Sequence, residues 1–151
     1  MDAPTTALDG LDLTCLAAAT LPAEVRQRIG NRLAAWRLEA VADDARLVAG
    51  ELIANACAAT PDGEIRVTFT REPGAVLLAV WDSSGALPRV KPVVELQPHD
   101  LDLSPERWDD NGGWGLPLVQ ALAAECGVRE TPPRGKWVWA RLAAPGISWV
   151  R

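Results

Sequence analysis

The sequence predicts an α+β domain in two layers, a β-sheet with its helices packed on one face. Three observations point there. Apolar residues recur at spacings of three and four over the first third of the chain, then switch to strand patterns from Ile65 onward. A second helical pattern near Leu116–Ala123 is followed by a closing pair of strand-like runs. Helices and strands are therefore segregated along the chain, which favours helices layered on a sheet over a regular alternation of strand and helix.

Taken in order, residues 1–10 are expected to be a flexible leader without the basic and apolar regions of a signal peptide. Leu11, Leu13, Cys15 and Ala17 alternate weakly and predict a short edge strand. Pro22 suits a first helical turn, where its missing N–H had no helical partner, and Val25, Ile29, Leu33 and Trp36 share one face beyond it. Asp43 and Asp44 are well placed at the positive end of a second helix carrying Leu47, Val48, Leu52, Ile53 and Ala56. Thr60-Pro61-Asp62-Gly63 ends it as a turn cluster.

Ile65, Val67 and Phe69 alternate with Arg66, Thr68 and Thr70, the pattern of a half-exposed strand. After a turn at Glu72-Pro73-Gly74, the unbroken apolar run Ala75–Trp81 predicts a strand buried on both faces. Periodicity then fails from Ser83 to Gly113, with Pro88, Pro92, Pro98 and Pro105 and several acids; so long a loop inside a domain is usually functional, often a lid. The last helix runs from Leu116 and is expected to stop at Gly127. Val128–Glu130 and Trp137–Leu142 read as strands around the turn Pro132-Pro133-Arg134-Gly135.

Composition narrows the function. The 151 residues suit one domain, and 48% hydrophobic with 23% charged residues is an ordinary globular balance. A formal charge of −5 and a pI near 4.9 argue against non-specific nucleic-acid binding, which needs a surplus of Lys and Arg. No run of about 18 apolar residues suggests a membrane helix. Cys15, Cys57 and Cys126 are expected to be buried reduced thiols of a cytoplasmic protein, and the single His99 leaves zinc sites and His-based triads without their usual groups.

Three segments carry candidate chemistry. Glu51 and Asn55 lie four apart on the second helix and leave the same face, a carboxylate that could act as general base beside an amide that could hold Mg²⁺. A solvated helix edge is the plain alternative. Asp82-Ser83-Ser84-Gly85 follows the buried strand; an acid there can accept from a ligand's exocyclic amine, or the segment is simply a turn. Gly112-Gly113-Trp114-Gly115-Leu116 opens the last helix, where free N–H groups and the dipole suit phosphate, or it is a hinge. It is neither a Rossmann fingerprint nor a P-loop.

The ordered set Glu51-Leu52-x-x-Asn55-Ala56, the Asp82–Gly85 turn and Gly113-x-Gly115-Leu116 resembles the signature of histidine-kinase-like (GHKL-type) ATPases. The segments Ala42–Leu52, Gly115–Ala123 and Gly135–Leu142 are similar to the actinobacterial anti-sigma-factor serine kinases. The resemblance spans roughly residues 20 to 143. It implies a Bergerat-type two-layer sandwich over residues 11–143 with a mixed sheet, residues 86–111 forming an ATP lid and 144–151 a tail. It implies ATP and Mg²⁺ as cofactors, Glu51 as the base toward a partner's serine, and Asn55 as the Mg²⁺ ligand. Asp82 would meet the adenine amine, while Gly85, Gly113, Gly115 and Leu116 would line the nucleotide. The implied partners are a sigma factor or an anti-anti-sigma protein, with a homodimer possible, and neither nucleic acid nor membrane.

The pattern also departs from the family. Ser84 and Ala86 flank Gly85 where glycines are usual, and Trp114 stands where this branch often has Arg. Lys136 occupies the place of an adenine-contacting Thr, and Pro117 removes an N–H from the first turn of the phosphate-side helix. A nucleotide-binding or partner-binding switch without efficient kinase chemistry therefore stands as the alternative.

Overall fold

The computed structural model describes residues 10–84 and 115–144. Strand β1 (Leu11–Leu16) is followed by helix α1 (Leu21–Ala35), a 3₁₀ turn (Glu39–Val41) and helix α2 (Ala42–Ala59). Strands β2 (Glu64–Glu72) and β3 (Ala75–Asp82) form a hairpin. Helix α3 (Gly115–Leu122) leads to strands β4 (Glu125–Glu130) and β5 (Lys136–Ala143). The expected lid, 86–111, and the positions Gly85 and Gly113 lie outside the described residues.

The five strands pair in the order β1-β2-β3-β5-β4, and every pairing is antiparallel. The expected α+β sandwich is therefore present, but the sheet of the described residues is antiparallel throughout and not mixed. The reason is the placement of β5. It folds back from β4 as a hairpin and inserts beside β3, so β3 and β4 run the same way without touching.

Among the described residues, helices cover one face only. Val25, Ile29 and Leu33 of α1 and Val48, Leu52, Ile53 and Ala56 of α2 are buried against Ile65, Val67 and Phe69 of β2 and Val76, Leu78 and Val80 of β3. Trp36 stacks on Phe69 with ring centroids 5.5 Å apart. Arg26 lies against Gly50 and Arg46 against Gly30, so each helix offers a glycine to a long side chain of the other. Leu47, expected with the apolar set of α2, is exposed instead.

Three further readings are corrected. Strand β3 is not buried on both faces: Val76, Leu78, Val80 and Asp82 are buried, while Leu77, Ala79 and Trp81 are half-buried on the face opposite the described helices. All eight positions are apolar or end the strand, so periodicity could not separate the faces. Helix α3 does not reach Gly127. It closes at Leu122, the N–H of Ala123 donating to Val119, and β4 begins at Glu125. Gly127 serves inside that strand, where a Cβ would lie 3.0 Å from Trp139 Cζ2. The three cysteines are free but half-buried, and burial pushes each thiol above its ordinary range, leaving little thiolate for reaction.

The turn before β5 is tightly specified. Gly135 has φ of 93°, and a Cβ there would lie 2.6 Å from Trp81 Cζ2 and 2.8 Å from the Asp82 carbonyl oxygen. Trp81 is held in turn by its indole N–H, which donates to Thr131 Oγ1 at 2.9 Å. Gly135→Ala combines left-handed strain with a clash, so urea unfolding should show a loss of at least about 2 kcal/mol.

Candidate functional site

Glu51 and Asn55 are where the helical spacing put them, one turn apart on α2 and both half-buried. The neighbours Leu52, Ile53 and Ala56 are buried and Ala54 is exposed, so Glu51 and Asn55 lie at the boundary between the core face and the open face of the helix. Burial pushes the Glu51 carboxyl above its ordinary value. The Asn55 side-chain Nδ2 is buried with no hydrogen-bond partner among the described residues. An amide N–H left dry in this way is costly unless a ligand or water meets it.

Asp82 ends β3 and is 2% exposed. Its Oδ1 accepts from the backbone N–H of Ser84 at 2.9 Å, the Asx-type turn that Asp followed by serines suggests. The same oxygen accepts from Lys136 Nζ at 2.8 Å, the two side chains being nearly inaccessible. Lys136 opens β5 directly opposite Asp82 in the strand register. A turn and an ion pair thus both claim the carboxylate expected to meet a base.

Gly115 and Leu116 begin α3, so the glycine does stand at a helix N-terminus. Pro117 is buried in the first turn. The structure therefore places Glu51 and Asn55 together on one helix, Asp82 at a neighbouring strand end, and Gly115 and Leu116 at the start of a helix packed against α2.

One polar group was not anticipated. Gln120, on the apolar helix α3, has its Oε1 buried and unpartnered among the described residues. Its only signal in the sequence is a single polar residue inside Gly115-Leu116-Pro117-Leu118-Val119-Gln120-Ala121-Leu122. The Lys136 contact was legible as a position but not as an ion pair. Among the described residues no three His, Cys, Asp or Glu side chains gather into a metal site, and no helix is long and apolar enough to cross a membrane.

Comparison with known families decides the broader question. The family model described as "Histidine kinase-like ATPase domain" matches residues 16–142, most of the chain. The chain belongs to that family. No curated protein matches it closely enough to add a named relative. A histidine kinase-like ATPase domain implies ATP binding, and it gives the helix–sheet sandwich a known purpose. The match begins in β1 and ends in β5, so every described helix falls within the ATPase domain.

Proposed function

We propose that this domain is an ATP-binding regulatory protein of the anti-sigma serine-kinase type, transferring phosphate to a serine of a partner protein in the cytoplasm. The observation that carries this reading is the pair on α2: a half-buried carboxyl raised by desolvation, one turn from an amide whose buried N–H group has no partner among the described residues. A carboxylate raised by desolvation is a better proton acceptor than an ordinary surface glutamate.

In this reading Glu51 accepts the proton of the partner's serine hydroxyl as its oxygen bonds to the γ-phosphorus and ADP departs with the bridging oxygen. Asn55 offers its carbonyl oxygen to Mg²⁺ and its N–H group to an anionic oxygen, which would resolve the orphaned donor. Magnesium, when bound, neutralises phosphate charge and orients the transferred group. Gly115 and Leu116 bring backbone N–H groups to the phosphates. Asp82 stands at the base end of the site. The partner is a sigma factor or an anti-anti-sigma protein, and a second copy of the chain is a further candidate.

The test is transfer of labelled γ-phosphate from MgATP to serine on a partner co-purified with this chain. Label appearing with wild-type protein and not with Glu51→Gln supports the reading. A protein that binds nucleotide but labels no partner is the alternative, a switch without useful phosphotransfer.

The metal assignment has its own check. Asn55→Ala should weaken MgATP binding by roughly tenfold while adenosine binds nearly as before, since the amide faces metal and phosphate and not the base. Titration calorimetry with both ligands reads this directly. Equal losses for both would mean that the substitution had only disturbed α2.

A further inference from the structure

Asp82 and Lys136 close one end of the β3–β5 pairing, the last residue of one strand opposite the first of the other. Lys136 Nζ sits 2.8 Å from Asp82 Oδ1, with the two side chains 5% and 2% exposed. The Ser84 N–H donates to the same oxygen.

We propose that Lys136 is a specificity-determining residue: its ammonium takes the place of a nucleobase amine on Asp82, so the base site does not read the 6-amino group of adenine. The inference rests on the ATP-site reading given above.

The chemistry is a competition between donors. An exocyclic amine and an ammonium both offer N–H groups, but only the ammonium carries a full charge to the carboxylate, and a charge-assisted bond is about twice as strong as a neutral one. Lys136 is also tethered by the strand, so it competes at a high effective concentration. Displacing it would strand a nearly inaccessible cation, which costs far more than one neutral hydrogen bond returns. A nucleotide held by this chain is therefore gripped through its phosphates and ring faces, and its 6-substituent contributes little.

The experiment compares ATP with the triphosphate of purine riboside, which lacks the 6-amino group, on wild-type protein and on Lys136→Thr. Threonine removes the charge, shortens the side chain and suits a strand. The wild type is expected to bind the two triphosphates within about twofold. Lys136→Thr is expected to prefer ATP roughly tenfold or more, the usual effect of one hydrogen bond to a charged acceptor. A wild type that already prefers ATP tenfold overturns the proposal, because a base must then reach the other carboxylate oxygen beside the lysine. A folded Lys136→Thr without preference overturns it too. If that variant does not fold, as its melting curve would show, the wild-type comparison decides alone. If neither triphosphate binds either protein at millimolar concentration, the nucleotide reading itself fails and takes this inference with it. That outcome is a loss of binding and is distinct from a missing preference.

Discussion

Replacing Glu51 by Gln is expected to lower phosphotransfer from ATP about 10²- to 10⁴-fold while leaving nucleotide affinity nearly unchanged. Gln keeps the shape and the hydrogen-bonding reach of the side chain but cannot take a proton. Single-turnover transfer to the partner serine, measured beside nucleotide titrations, separates the two quantities. The pH profile adds a second readout. Burial raises the Glu51 carboxyl above its ordinary value, so the base form fills at higher pH than in an exposed glutamate. Transfer should therefore fall as pH drops through that raised value and level off above it, and the Gln variant should lack this limb. Stability moves the other way. The folded state holds the Glu51 proton to higher pH than the unfolded chain does, so this group's contribution declines as pH rises from the ordinary value through the raised one. Gln carries no charge to desolvate and should be at least as stable near neutrality. A variant that transfers phosphate at the parent rate removes Glu51 from the chemistry.

Much of the fold was readable because its helices and hairpins announce themselves locally. Val25, Ile29 and Leu33 could form only one apolar stripe, and that stripe is buried as expected. Ile65, Val67 and Phe69 likewise alternate onto the core face. What could not be read was set by contacts distant in sequence. The run Ala75–Trp81 contains no polar residue to mark its outer face, where Trp81 is half-buried, opposite the described helices. Gly127 looked like a helix stop because glycine so often is one, yet its role comes from Trp139 lying over it on the neighbouring strand. The antiparallel sheet follows from β5 returning beside β3, a choice that no local pattern records. In the candidate site the helical spacing of Glu51 and Asn55 survived intact. Asp82 was found as a residue but its occupancy was not, since Lys136 is 54 positions away and meets it only through strand register.

That ion pair yields the second large expected effect. Lys136→Met should cost about 3–5 kcal/mol, and so should Asp82→Leu, because each leaves one charge almost wholly enclosed with its main partner gone. Among the described residues Asp82 would keep only the Ser84 N–H, while Lys136 would lose its only ion pair. The double variant, Asp82→Leu with Lys136→Met, should be far closer to wild type than either single one. Two apolar side chains of similar volume need no partners, and their burial at the end of β3 and β5 extends the apolar layer that Val80 and Val138 begin. Urea unfolding of the four proteins closes a double-mutant cycle, and the coupling should be several kcal/mol in favour of the pair. The unfolding slopes should agree across the set, so that midpoints report stability and not a change in the denatured chain. Single variants costing less than about 1 kcal/mol each, with additive effects, would place the pair among solvated surface ion pairs and contradict its enclosure. The double variant also separates stability from recognition. It is expected to keep the sheet intact while lacking the Asp82 carboxylate, so whatever nucleotide affinity it retains does not depend on that group.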